Sequence, residues 1–405
     1  MKILFVSTSF PPATDMHTNR NVYLVRSLLN KGHKVDIITC GDYTKGSSSF
    51  DEVLDRVTSY RTKYPFVHRY HNFINKKCKL KLFKKIHNVI VNYYAIPDLY
   101  VGWESIVIKM ITDKKLTNYD AIITSSGSYT AHNIGKQWKS ITGKKWIAEY
   151  GDPWGLDAYG NIRKLYYKIE YPVISSCDGL VFTTLATIDA YKKNYPSEVP
   201  YMLVPNGYDK ILEDTSRENN NDVHFIYTGI AYKKDRDLSH FIKAIGENEK
   251  ASAELVGTLS PDFIDMSQRY PNVDCLGRVT YARSLSLLSS SDVVVLIGNY
   301  GTLQVPGKTY AYLSCRKPLL YIQQQSQSDP TYELLKRFEG IVFCENTEDS
   351  LREGVNEIIN NYAQLKRLAN QRCESDLIKQ FTWDAIGTKF TDFVESCIKT
   401  DKRNA

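Results

Sequence analysis

The chain has 405 residues, 42% hydrophobic and 24% charged, with a formal net charge of +7, the fractions of a soluble globular protein. Its length is too great for one core and predicts two or three domains of ordinary size. The opening "MKILFVSTSFPP" lacks the apolar stretch of a secretory signal, and no run approaches the roughly 18 to 20 apolar residues that span a bilayer. Cysteines at 40, 78, 177, 275, 315, 344, 373 and 397 form no C-x-x-C pair. They read as reduced, mostly buried thiols of a cytosolic protein rather than a metal site or a disulfide framework.

Charge is unevenly spread. Residues 1–200 carry 28 Lys/Arg against 17 Asp/Glu, giving +11, and residues 201–405 carry 24 against 28, giving −4. Between Asp55 and Asp98 there is no acidic residue, while "RTKYPFVHRYHNFINKKCKLKLFKKIHNVIVNYY" supplies nine Lys/Arg interleaved with apolar and aromatic residues. This pattern fits a segment lying on an anionic membrane surface. A solvated basic helix and a nucleic-acid patch are the competing readings, the last being the least supported.

In chain order the elements alternate. "KILFVSTS" is a continuous apolar strand, Asn19 to Lys31 an amphipathic helix stopped by Gly32, and "HKVDIITC" the next strand, a βαβ unit of a parallel sheet. After the basic segment come the strand "YDAIITSS", a helix from about Tyr129 to Thr142, the strand "KKWIAEYGDPW", a helix around Leu165 to Ser175, "DGLVFTT", a helix from Ile188 to Tyr195, and "YMLVPNGYD". "DKILEDTSRENNND", Asp209 to Asp222, is polar and acidic and reads as an interdomain linker. A second α/β series follows: "VHFIYTG", a helix from about Asp237 to Ile245, "ASAELVG", "VDCLGRV", a helix from about Ala282 to Ser289, "DVVVLIG", a helix opened by Lys308, "KPLLYI", "IVFC", and a helical tail. Two doubly wound domains are predicted, with ligand loops beyond the carboxyl ends of the strands.

Those loops hold the candidate chemistry. In "TLQVPGKTYAYLSCRKPLL" a lysine opens a helix, where positive charge is unwelcome unless an anion shares the site; a solvated surface lysine is the plain alternative. "YTGIAYKKDRD" places Lys233, Lys234 and Arg236 just after Gly229, a set able to neutralise a diphosphate or to form an exposed mixed-charge loop. Asp235 and Asp237 are poor metal ligands beside those cations. "EYGDPWG" supplies Glu149 and Asp152, which either orient hydroxyls and take a proton or, for Asp152, cap the next helix. His132, after "SSGSY", is a cleft-facing or a structural histidine. No G-x-G-x-x-G follows the first strand, and G-x-x-x-x-G-K-[ST] and G-x-S-x-G are missing, against a dehydrogenase, a P-loop kinase and a serine hydrolase.

Taken together, "KILFVSTSFPP" with "NKGHKVDIIT", "IITSSGSYTAHNIG" before "WIAEYGDPW", "VPNGYD", "YTG", "LGRV", "VPGKTYAYLSCRKPLL" and "FTWDAIGTKF" make the chain resemble the GT-B glycosyltransferases, within them family 4 of retaining nucleotide-sugar enzymes of bacterial surface polysaccharide synthesis. The resemblance implies an α/β GT-B fold, two doubly wound Rossmann-like domains facing across a cleft: an acceptor domain over 1–208, a linker over 209–222, a donor domain over 223–380, and a helix in 381–405 crossing back to the first domain. It implies a nucleotide-sugar donor, a glycan or lipid-linked glycan acceptor, and no cofactor and no metal. It gives Lys308, His132 and Asp152 the catalytic roles. Gly229, Lys233, Lys234, Arg236, Gly277, Arg278, Val279, Pro306, Gly307 and Thr309 fall on the donor, Glu149 and Arg20 on the acceptor side. The family's two glutamates, eight positions apart, are here Leu303 and Ala311, its arginine before Asp-Pro-Trp is Gly151, and its glycine-rich first loop is "PPATDMHTN". A non-catalytic GT-B protein is the other class of function. A cytoplasmic protein held peripherally at the membrane, with no nucleic-acid partner, is the expected setting.

Overall fold

The structure is a computed structural model that describes residues 1–13, 15–42, 50–156, 164–216, 222–301, 303–324 and 329–399. The chain forms two compact units, one made of Met1–Pro205 and the C-terminal segment from Trp383, the other of Asn206–Thr382.

The first unit is built on a parallel sheet of seven strands: β1 (Lys2–Val6), β2 (Lys34–Cys40), β3 (Thr58–Thr62), β4 (Ala121–Ser125), β5 (Lys145–Tyr150), β6 (Gly179–Phe182) and β7 (Tyr201–Leu203), in the order β3-β2-β1-β4-β5-β6-β7. The second holds β8 (Val223–Ala231), β9 (Ala251–Leu259), β10 (Val273–Gly277), β11 (Val293–Ile297), β12 (Leu319–Gln323) and β13 (Ile341–Glu345), in the order β10-β9-β8-β11-β12-β13. Central strands are apolar at every position because helices cover both faces: Ile3 to Val6 and Val293 to Ile297 are all fully buried. Edge strands relax this, and β13 alternates between buried and exposed positions.

In both units the strand order reverses beside the first strand, between β1 and β4 and between β8 and β11. Loops leaving those strands splay apart there, the place where open α/β sheets receive ligands. The loops after β1, β4 and β5 therefore gather at one end of the first sheet, and those after β8 and β11 at one end of the second.

The helix after β1 runs Met16–Asn30, three residues earlier than its apolar spacing suggests, because the Asp15 carboxylate caps it by accepting from the Thr18 amide at 2.8 Å. The final helix, Trp383–Lys399, packs on this one within the first unit. The Trp383 ring stacks on Tyr23 at 4.9 Å, and Phe390 and Val394 are fully buried. The polar stretch read as a linker is docked where it is described, since Asp214 binds Lys317 at 2.6 Å and also Lys366, and the Thr215 amide bonds to the Ser289 carbonyl at 2.9 Å. Its residues 217–221 lie outside the described residues. The basic segment folds as β3 followed by helices Phe66–Lys77 and Lys81–Tyr94.

Candidate functional site

In the second unit the chain leaves β11 through Gly298–Gly307 and turns into a six-residue helix, Lys308–Leu313. Its far end is held by Arg372, a buried guanidinium that donates to the carbonyl of Leu313, the last helical residue, and to those of Cys315 and Lys317 beyond it. Lys308 at its start is half-buried. Its ammonium donates to the Thr228 carbonyl and stands over the Tyr227 ring, 4.3 Å from the centroid, with Tyr312 at 5.6 Å. Gly229 makes this approach feasible: its φ is +148, and a Cβ there would lie 2.5 Å from the Lys308 Nζ.

Arg236 completes the arrangement, donating to the Asn299 side chain at 2.6 Å and to the Ile230 carbonyl at 3.3 Å, while its buried Nε has no partner. No carboxylate pairs with Lys308 or Arg236 among the described residues. Burial, and then the charge of Arg236, push the Lys308 pKa down to about 7. Two cations gathered at a switch point with no carboxylate paired to them among the described residues form an electrostatic trap for an anion. The buried Lys317 of the same unit is the counter-example, since Asp214 faces it.

Of the other residues read as donor contacts, Lys233 and Lys234 are exposed on the loop after β8. Gly277 and Arg278 are exposed and Val279 half-buried at the end of β10, with Gly277 in the left-handed region at φ +64. Pro306 is buried and its carbonyl receives the Thr309 amide at 2.9 Å; Gly307 caps the helix. Thr309 is fully buried with its hydroxyl unpartnered. Ala311 is exposed and Leu303 half-buried.

The first unit treats its charges differently. Arg20 and Glu149 are 1% and 0% exposed and meet at 2.7 Å, with Arg20 also donating to the Val204 and Pro205 carbonyls and the Ser125 hydroxyl donating to Glu149 at 2.6 Å. The reading that placed both on the acceptor side meets this geometry: they are a brace behind the loops, each neutralised inside the unit. Asp152 stands apart from Glu149, on the partly exposed side, and takes a hydrogen bond with His17 Nε2 at 2.9 Å. Burial opposes the His17 imidazolium, but the bond and charge of Asp152, with Glu149 and Asp15 behind it, raise the pKa above its ordinary value. Gly151 is what admits His17, because a Cβ at 151 would lie 2.5 Å from the His17 Nδ1. Sequence reasoning did not find His17; the available signal was Gly151 itself, the small residue before Asp-Pro-Trp that leaves room for the ring.

His132 is fully buried in the first turn of the helix Thr130–Thr142, stacked on Tyr150 at 4.4 Å. Burial pushes its pKa down to about 3, so the ring is neutral. The Thr124 hydroxyl accepts the Trp146 indole N–H at 2.8 Å and lies 2.8 Å from His132 Nδ1. We assign the hydroxyl proton to that Nδ1, which leaves the imidazole hydrogen on Nε2, a buried donor without a partner. Behind Asp152, Glu170 receives the Gly155 amide at 2.8 Å and the Tyr191 hydroxyl at 2.7 Å, while that hydroxyl accepts the Trp154 amide at 2.8 Å. The Asp-Pro-Trp loop is thus fixed by a buried carboxyl that burial raises to about 7.

No protein-family model matches the chain, and no curated protein matches it in sequence. Solved structures match it in fold. HepE from Anabaena in complex with UDP superposes with a TM-score of 0.70 at 13% identity, over 98% of this chain and 100% of that one. Sucrose-phosphate synthase from Thermosynechococcus elongatus gives 0.66 at 13%, over 98% and 99%. WaaG, a glycosyltransferase involved in lipopolysaccharide biosynthesis, gives 0.59 at 11%, over 96% and 99%. The fold is that of the GT-B glycosyltransferases, with two Rossmann-like units.

Proposed function

We propose that the protein is a retaining glycosyltransferase that moves a sugar from a nucleoside diphosphate sugar to a glycan acceptor. The observation that carries the proposal is the uncompensated pair of Lys308 and Arg236 at the switch point of the second unit. A departing nucleoside diphosphate gains negative charge as its bond to the sugar breaks, and a cation already desolvated beside it stabilises that charge most strongly. HepE, solved with UDP and with UDP-glucose, supports a uridine diphosphate donor.

In the first unit Asp152, partly exposed and steadied by His17, is suited to orient a sugar hydroxyl, whereas His132, read from the sequence as catalytic, is fully buried and backs Tyr150 instead of meeting a ligand. With front-side attack, the leaving phosphate oxygen itself takes the acceptor proton, so no separate base is required. The transfer needs no metal, because the two cations supply the positive charge; loss of turnover on chelation, restored by manganese or magnesium, would overturn that part. The lipopolysaccharide role in WaaG's description supports a lipid-linked surface glycan as acceptor.

The test is calorimetric titration with nucleoside diphosphates and a thermal-unfolding screen of nucleotide sugars. Binding is expected in the intact chain and lost in Lys308→Ala, together with transfer. Wild-type-like binding in that variant would sink the assignment. A second reading, a non-catalytic binding protein, is favoured by one observation, the exposed Ala311 where the family places a glutamate. Nucleotide binding without turnover on any donor would select it.

A further inference from the structure

The helices Phe66–Lys77 and Lys81–Tyr94 expose apolar side chains in a way the rest of the first unit does not. On the second helix Leu82 (72% exposed), Ile86 (51%), Val89 (64%) and Tyr93 (60%) recur at helical spacing and form one outward stripe. Phe66 (69%) and Phe73 (59%), seven residues apart, do the same on the first. The buried side of the pair is elsewhere, at Ile74, His87 and Val91. Each helix therefore presents apolar residues on two faces, one toward the core and one toward solvent.

Lys76, Lys77, Lys79, Lys81 and Lys85 are exposed beside these stripes, and no acidic residue occurs from Arg56 to Pro97. Charge selects the occupant. A second copy of this surface would bring lysines against lysines. A neutral apolar partner would leave five ammonium groups near its edge unpaired. A sheet of anionic headgroups over hydrocarbon satisfies both features at once. The helices have 12 and 14 residues, too few to span a bilayer, and no helix among the described residues is long and apolar enough to cross one.

We propose that this helix pair is an in-plane docking surface for an anionic phospholipid bilayer, with the stripes of Leu82, Ile86, Val89 and Phe73 at the headgroup–acyl boundary and the lysines on the headgroups. It does not depend on the sugar-transfer reading, and its test measures partitioning alone, so that either can fail without the other.

The experiment is sedimentation of the full chain with vesicles of phosphatidylcholine, alone or mixed with phosphatidylglycerol, over a series of salt concentrations. Binding is expected to the anionic vesicles and to weaken as salt rises. Lys81→Gln with Lys85→Gln should lower the partition coefficient roughly 25-fold, about fivefold per lysine. Leu82→Ser with Val89→Ser should lower it at every salt concentration while leaving the unfolding temperature unchanged, since both side chains lie in solvent. Equal binding to both vesicle types, or binding to neither, would overturn the proposal. So would a dimer or an acidic protein complex that the serine variant, rather than salt and lipid, abolishes.

Discussion

Where the strand order of the first unit reverses, Arg20 is buried against Glu149 and His17 pairs with Asp152, so each cation meets a carboxylate. At the equivalent place in the second unit, Lys308 and Arg236 come together among carbonyls, an amide and aromatic rings. Two sheets of one topology have thus been given opposite electrostatics. The neutralised end suits a polar, uncharged ligand held by hydrogen bonds, and the end with unmatched positive charge suits an anion. The difference also predicts where stability is stored and where it is spent: a buried pair is costly to break, whereas a buried unmatched charge is a liability the fold would be better without.

Removing one member of the matched pair is the severest way to test this. Glu149→Ala strands the Arg20 guanidinium in the interior and should lower the unfolding free energy by about 3–5 kcal/mol, with nucleotide affinity per folded molecule unchanged. An unaltered denaturation midpoint would show that Arg20 finds water.

Lys308→Met should do the reverse. Transfer falls by roughly 10²–10³-fold, as for loss of one charge-stabilising donor, yet the protein becomes harder to unfold. The sign follows from the depressed pKa. With the folded amine at about 7 and the unfolded one near its ordinary value, the folded protein bears the full penalty of the buried ammonium below pH 7, and the penalty fades as pH rises above 7. Calorimetry near pH 6 should therefore show the largest stabilisation; a variant less stable than the parent at every pH would remove the argument.

The same titration reaches the ligand. A bound diphosphate holds Lys308 protonated, so affinity should decline by up to about tenfold per pH unit above pH 7 and binding should be accompanied by proton uptake. Titrations of the intact chain in buffers of different ionisation enthalpy measure that uptake, and a binding heat independent of the buffer would remove the argument.

The mildest expected effect is at Gly151. Gly151→Arg meets the His17 ring, at a cost of about 1–3 kcal/mol. Adding His17→Ala should recover most of that loss. Without recovery, the steric coupling of the two positions is wrong.

Much of this molecule could be read from its residues, for definable reasons. The central strands announce themselves as unbroken apolar runs, and Lys308 was conspicuous because Pro306 and Gly307 open a helix directly on a charge. His17 was opaque: its partner lies 135 residues away, and next to Asp15 it looks like any first-turn residue. Arg20 was legible as a polar residue of the first helix and Glu149 as one near a strand end, but not the two as a pair, since burial is a property of the assembled sheet. The helix Trp103–Asp113, which buries Trp103, Val107 and Ile111, escaped notice because the basic residues before it drew the reading toward charge.

The helix Trp383–Lys399 has a consequence for the order of events during synthesis. Its Trp383 and Phe390 belong to the core of a unit whose other residues left the ribosome long before. The second unit, Asn206–Thr382, is complete while the first still waits for its last helix. The Met16–Asn30 helix must therefore keep an unfinished apolar flank until Trp383–Lys399 has been made and docks on it.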